Sequence, residues 1–168
     1  RMKDLVLDLR RFSHPVHADI QRVALLPLLE STIRLARNEF KSHIQIERDF
    51  CESVPDIQAQ ASALSQVFVN ILLNAAQAIG SQQGRIRIKV SHDSTQIFVA
   101  IADSGPGIAA EHLPHLFEPF FTTKDVGKGT GLGLSICHTI IRQHGGKFQV
   151  LPTSALGGAE FILSLPLS

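Results

Sequence analysis

The chain has 168 residues, a formal net charge of +1 and 44% hydrophobic residues, which fits one ordinary domain with a single core, or one domain with a short appendage. So balanced a charge excludes the basic footprint of a nucleic-acid binder. The charged start "RMKDLVLDLRRF" excludes a signal peptide, and no apolar run is expected to reach the length that crosses a membrane. Cys51 and Cys137 lie far apart in apolar contexts and read as buried free thiols. His112 and His115, in "HLPH", have no third ligand at a useful spacing, so no metal site built from histidines is expected.

Lys3 to His14 repeats Leu5, Leu9 and Phe12 at helical spacing, as in the end of an amphipathic helix, and Pro15 stops it. Arg22 to Leu26 reads as a short strand. "PLLESTIRLARNEFKS" follows as a helix with Pro27 in its first turn. Ile44 to Phe50 alternates apolar and polar, a half-buried strand. "SALSQVFVNILLNAAQAIG" is a strong helix, with Ser62 as N-cap and Gly80 as its stop. Arg85–Ser91 and Gln96–Asp103 alternate and read as a hairpin joined through "HDST". Ser104 to Lys128 is loop-like apart from a short turn at "AEHLPHLF". A helix starts near Leu132 and ends at Gly145 or Gly146, and Lys147–Pro152 and Ala159–Pro166 close the chain as strands. This order predicts an α+β fold, a two-layer α/β sandwich whose mixed, mostly antiparallel sheet carries helices on one face. The connection from Asp103 to Thr130, roughly 28 residues, is long for a compact domain and reads as a lid or a disordered segment.

Four stretches carry candidate chemistry. On the helix from Ser62, Leu64, Phe68, Ile71, Ala75 and Ile79 form an apolar face, while Gln66, Asn70 and Asn74 recur every fourth residue along one line. Two readings stay open: the amides bond loops or solvent, or Asn74 offers its carbonyl oxygen to a hard cation such as Mg²⁺ with Asn70 in support. "IADSGPGI" ends a strand in Asp103, with Gly105 and Gly107 after it. It is either a turn or a pocket floor where the acid accepts from a ligand amino group and glycine backbone approaches a flat ring. Phe117, Phe120 and Phe121, in "LFEPFFTTK", either anchor the loop to the core or form a movable latch. "GKGTGLGLSI" matches neither the Walker A nor the G-x-G-x-x-G pattern. A helix start behind glycines is nevertheless a ready anion site, and the helix begins inside the run, against a plain linker.

Together, in this order and spacing, the four stretches closely resemble the catalytic and ATP-binding domain of bacterial sensor histidine kinases, of the GHKL superfamily. "NILLNAAQAI" resembles the N box, "DSGPGI" the first glycine box, "FEPFFTTK" the F box and "GKGTGLGLSI" the second glycine box, over about residues 20–168. The resemblance implies the GHKL (Bergerat) fold, ATP and Mg²⁺ as cofactors, and transfer of the γ-phosphoryl group to a histidine. It implies a metal pair of Asn74 and Asn70, and a catalytic set of Asn70, Asn74 and Lys124. The implied nucleotide-binding set is Asn74, Ala78, Asp103, Gly105, Gly107, Ile108, Lys128, Gly129, Thr130, Gly131, Leu132 and Gly133. Within it Asp103 would accept from the adenine amino group, Gly107 and Ile108 would flank the base, and residues 129–133 would face the phosphates, the Thr130 hydroxyl included. The implied lid spans about residues 104–130.

The sequence departs from the family in places. "LGGAEF" has Leu156 and Ala159 where a glycine and a threonine often stand, so a threonine contact to the base is in doubt, while Gly158 and Phe161 fit. Gln77 stands where some relatives carry a lysine. "RFSHPV" lacks the surroundings of the family's phosphoacceptor, so His14 is not read as that residue. Residues 1–19 resemble the end of a dimerisation helix and a linker, and 20–168 the catalytic domain. The resemblance further implies as partners an upstream phosphoacceptor domain and a response regulator receiver domain, no nucleic acid, a homodimeric full-length protein and a cytoplasmic location, with this piece monomeric. Family ATPases carry a glutamate at the position of Asn70 as general base for water, and its absence favours phosphotransfer over one rival, a hydrolytic GHKL ATPase. The other rival, a nucleotide-sensing module without transfer, stays open: the intact Asn74, Asp103 and glycine run argue only against lost nucleotide binding.

Overall fold

The computed structural model describes residues 19–37, 40, 43–123 and 129–167. The helix expected over Lys3–His14, and with it nearly all of the expected dimerisation segment, lies outside the described residues. In chain order the elements are strand β1 (Gln21–Val23), helix α1 (Leu25–Ala36), strands β2 (Ile44–Phe50) and β3 (Ile57–Ala59), helix α2 (Ala61–Ile79) and the hairpin β4 (Gly84–His92) and β5 (Gln96–Asp103). A 3-10 turn (Ala110–His115), helix α3 (Gly133–Gln143) and strands β6 (Lys147–Leu151) and β7 (Glu160–Pro166) complete it.

Five strands form one sheet in the order β2-β4-β5-β7-β6, with β2 parallel to β4 and every other pair antiparallel. The alternation in the sequence becomes two faces. On one, the register sets Ile88 opposite Ile101 and Val90 opposite Val99, then Ile101 opposite Phe161 and Val99 opposite Leu163, all buried. α2 lies over β4 and β5, α3 over β6 and β7, and α1 packs on α2. Each fully buried Ile or Leu in this layer contributes about 1.5–3 kcal/mol by leaving water. On the other face Glu47 of β2 meets Arg87 at 2.9 Å and Arg85 at 3.3 Å on β4. The two-layer α+β sandwich expected from the element order is the observed fold.

The hairpin turn is built by Asp93, whose Oδ1 accepts from the backbone N–H of Thr95 and Gln96 at 2.7 and 2.8 Å. Gly80, at φ 71°, ends α2 as expected.

Several details differ from the sequence reading. The first strand stops at Val23, and Leu25 and Leu26 belong to α1, because Leu25, Leu29, Ile33 and Ala36 form the buried stripe of that helix. A further strand, β3, pairs with β1 in a separate antiparallel ribbon. α2 begins at Ala61 rather than after Ser62, and the Gln60 N–H at its cap donates to His144 Nε2 at 3.0 Å, across the fold. Finally, α2 is, at 19 residues, long and apolar enough to meet the length and composition of a membrane span. Seven of its residues, Leu64 and Phe68 among them, are buried, as befits a core helix. Cys137 is a buried free thiol as expected, whereas Cys51 is a half-buried one.

Candidate functional site

The last residue of β5 is the polar centre of a cluster at the end of α2 and the loops beside it. Asp103 sits on the helix-facing side of the sheet, opposite Ile86 of β4, and is 1% exposed. Its Oδ1 accepts from the Gly105 N–H at 2.8 Å. Burial pushes its carboxyl above the usual carboxylate range, against the opposing pull of the Gly105 and Ala159 N–H groups. Small residues crowd it. A Cβ on Gly105 would come within 2.8 Å of Asp103 Oδ1 and 3.0 Å of the Ala78 methyl, and one on Gly158 would overlap both the carboxylate and the Asp103 backbone. Ala78, Asp103 and Gly105 are thus neighbours. Gly107, at φ 78°, leads to Ile108, whose N–H donates to the Pro152 carbonyl at 3.0 Å and fastens this loop to the β6–β7 connection.

A second cluster lies where α2 meets the start of α3. Asn70, half-buried, donates from Nδ2 to the Gly133 carbonyl at 3.4 Å. Asn74 follows one turn later on α2, half-buried and bonded in its own right. The first bond of α3 runs from the Ile136 N–H to the Leu132 carbonyl at 3.0 Å, so the N–H groups of Gly133, Leu134 and Ser135 have no acceptor within the helix. They carry the positive end of its dipole. The Leu132 N–H instead meets Thr130 Oγ1 at 3.4 Å, and Gly131, at φ 69°, accepts from the Phe120 N–H at 3.0 Å. Behind Asn70, burial pushes the Cys137 thiol up to about 12, so it stays protonated.

The three phenylalanines of the long connection divide their work. Phe117 stacks on His138 of α3 at 4.8 Å and tilts against Phe148 of β6 at 5.3 Å, anchoring the loop to the core. Phe121 sits against the rings of His112 and His115. Phe120 is 61% exposed with φ 68°, a left-handed conformation uncommon for a bulky side chain. Lys124 and Lys128 lie outside the described residues.

The family described as "Histidine kinase-, DNA gyrase B-, and HSP90-like ATPase" matches residues 59–168, which contain both clusters. The chain belongs to this ATPase family. Among the family's sensor kinases, "Sensor histidine kinase ZraS" of Escherichia coli strain K12 is 38% identical over 169 residues, covering 100% of this chain and 36% of that protein. The chain thus spans about a third of the length of such relatives. Its fold is similar to that of histidine kinase ThkA in complex with the response regulator protein TrrA, with a TM-score of 0.83, 28% identity, and coverage of 100% of this chain and 48% of that one. It is also similar to full-length ShkA in complex with AMPPNP, with a TM-score of 0.80, 26% identity, and coverage of 97% and 34%.

Asp103 also touches residues that the sequence reading left out of its site. Ser154 Oγ donates to the Asp103 carbonyl at 3.2 Å, the Gly158 N–H donates to the same atom at 3.0 Å, and the Asp103 N–H donates to the Ala159 carbonyl at 3.0 Å. The β6–β7 connection therefore wraps Asp103. The pair "GG" before a strand was the available signal, but its target lies more than fifty residues earlier in the chain.

Proposed function

We propose that this chain is the catalytic domain of a sensor histidine kinase, binding Mg·ATP and passing its γ-phosphoryl group to a histidine on a separate upstream domain. The Asp103 carboxylate accepts from the adenine amino group, and Ala78, Gly105, Gly107 and Ile108 leave room for the flat base. The phosphates lie at the start of α3, where residues 129–133 bring backbone N–H groups close, with Lys124 and Lys128 in the adjoining lid of about residues 104–130. Asn70 and Asn74 supply two neutral amide oxygens one helical turn apart, a donor set that suits Mg²⁺ completed by phosphates and water. Bound there, Mg²⁺ would neutralise charge on the transferring phosphoryl group.

The observation that carries the choice of kinase over ATPase is Asn70. A neutral amide bonded to the Gly133 carbonyl cannot take a proton from water, whereas an imidazole, with an ordinary pKa of about 6.5, is a nucleophile without help. The upstream domain of residues 1–19 and beyond then supplies the acceptor histidine and the dimer contact, and a receiver domain takes the phosphoryl group onward, as the pairing of ThkA with a response regulator suggests. The cytoplasm, where ATP is plentiful, is the compartment this reading requires. The test is steady ATP hydrolysis by the chain alone. It should be slow, and Asn70→Glu should raise it without aiding transfer. Brisk hydrolysis by the unaltered chain would favour the ATPase instead.

A further inference from the structure

The backbone carbonyl of Asp103 is held from two directions by the β6–β7 connection. Ser154 Oγ donates to it at 3.2 Å, and the Gly158 N–H donates to it at 3.0 Å. A carbonyl oxygen has two lone pairs, and two donors engage both. The Ser154 hydroxyl is itself oriented. Its Oγ accepts from the Leu156 N–H at 3.1 Å, and its one hydrogen goes to Asp103. Backbone bonds close the turn around it, from the Gly157 N–H to the Ser154 carbonyl at 3.0 Å and from the Ser154 N–H to the Gly158 carbonyl. Two residues before Ser154, the Pro152 carbonyl accepts from the Ile108 N–H at 3.0 Å, and a Cβ on Gly107 would fall within 2.6 Å of that same oxygen. One short segment, Pro152 to Gly158, thus clasps the backbone of the acid and that of Ile108. Ser154 contributes to the clasp with its side chain as well as its backbone.

We infer that Ser154 is a positioning residue which, through the Asp103 carbonyl, sets where the Asp103 carboxylate meets the adenine amino group. The inference rests on the reading of the site given above. The register between β5 and β7 runs out at the pair of Ala102 and Glu160. Past it, the Asp103 N–H bond to the Ala159 carbonyl, at 3.0 Å, and the two bonds to the Asp103 carbonyl continue the hold on the chain. Without the hydroxyl, that carbonyl keeps the Gly158 N–H alone, and the peptide after Asp103 gains freedom to rotate. Gly105, whose N–H donates to Asp103 Oδ1 at 2.8 Å, follows two residues along, so the rotation carries the carboxylate's own partner with it. A hydrogen bond weakens steeply as its angle and distance leave the ideal. The loss therefore falls on recognition of the base, and not on the phosphates at the start of α3.

The test measures ATP binding by calorimetry for the unaltered chain, Ser154→Ala, Ser154→Thr, Asp103→Asn and the double variant of Ser154→Ala with Asp103→Asn. Inorganic tripolyphosphate serves as the probe of the phosphate end alone. Loss of one neutral hydrogen bond should weaken ATP binding roughly threefold to tenfold in Ser154→Ala and leave tripolyphosphate binding unchanged. Ser154→Thr, which keeps the hydroxyl, should recover most of the affinity. In the Asp103→Asn background the alanine should cost much less, because the carboxylate it positions is gone. An equal loss in both backgrounds, an equal loss for ATP and tripolyphosphate, or no loss at all overturns the positioning role while Asp103 keeps its place at the base. If Asp103→Asn binds ATP as tightly as the unaltered chain, the reading of the site falls and this inference falls with it. A second measurement does not depend on any variant folding. In the unaltered chain ATP, and not tripolyphosphate, should slow hydrogen exchange at the Leu156 N–H, because coupling between the clasp and the base is reciprocal. An unchanged rate would contradict the coupling.

Discussion

Gly158 lies against Asp103. Its N–H donates to the Asp103 carbonyl at 3.0 Å, and a Cβ in its place would overlap the carboxylate. Asp103 ends β5 and Gly158 precedes the neighbouring strand β7, and each sets the shape of the other. Gly158→Ala must therefore displace the acid or the loop around it. We expect a destabilisation of about 1–3 kcal/mol, the usual range for overpacking, together with weaker ATP binding. Urea unfolding and calorimetry measure the two effects, and an alanine variant that matches the unaltered chain in both would contradict this packing.

Asp103→Asn should separate stability from binding. Burial raises the carboxyl above its ordinary value of 3.8, so the acid gives up its proton less readily in the folded chain than in the unfolded one. The stability linked to this group is fully present below the unfolded value and is lost as pH rises through the higher folded value. At neutral pH the unaltered chain carries the penalty of a buried charge and the asparagine variant does not. The nucleotide-free variant should thus unfold at higher urea than the unaltered chain at pH 7, with the advantage shrinking as the pH falls toward 4. The same variant should bind ATP more weakly while GTP, which lacks that amino group, is affected less. Equal losses for ATP and GTP would remove Asp103 from the adenine subsite.

Two glycines of the run should respond oppositely. Gly131 has φ 69°, and a Cβ there would fall within 2.6 Å of the Phe120 carbonyl oxygen, so Gly131→Ala should destabilise the fold by about 1–2 kcal/mol or more. Gly133 has room, its nearest neighbour being Asn70 at 3.9 Å. Alanine relieves the entropy of a helical glycine, which is about 0.5–1 kcal/mol. Gly133→Ala should therefore keep or raise the melting temperature and yet weaken ATP binding, because only the phosphates demand the missing side chain. ATP affinity equal to that of the unaltered chain would leave Gly133 without a role at the phosphates.

The phenylalanines of the long connection should also separate. Phe117→Ala removes ring contacts to His138 and Phe148 from a half-buried site and should cost about 1–3 kcal/mol, below the range for a fully buried phenylalanine. Phe120, 61% exposed, should cost little. Thermal melts of both alanine variants, with limited proteolysis of the connection, distinguish them: cleavage should speed up for Phe117→Ala and not for Phe120→Ala.

Much of this was legible in the sequence because the signals were local. The strict alternation of Arg85–Ser91 and Gln96–Asp103 and the apolar stripe of α2 gave the hairpin and the core helix. Asp103 announced itself as an acid at a strand end before two glycines. What was not legible depended on distant partners. β3 is three residues long, too short to show alternation, and exists because β1 pairs with it. Ser62 offered a local cap, but the Gln60 N–H found His144, 84 residues away. α2 resembles a membrane span by length and composition only, since burial depends on what packs against it. Gly158 fitted the family's motif, but only the fold showed it packed against Asp103.

The most direct measurement of the central claim mixes this chain with labelled ATP, Mg²⁺ and the upstream histidine-bearing domain, and follows the label. The account predicts transfer to that domain, in a bond that survives base and is lost in acid, as a phosphohistidine is, and no transfer when its histidine is replaced. Binding of ATP with no label on the upstream domain would contradict the kinase reading and leave a nucleotide-sensing module in its place.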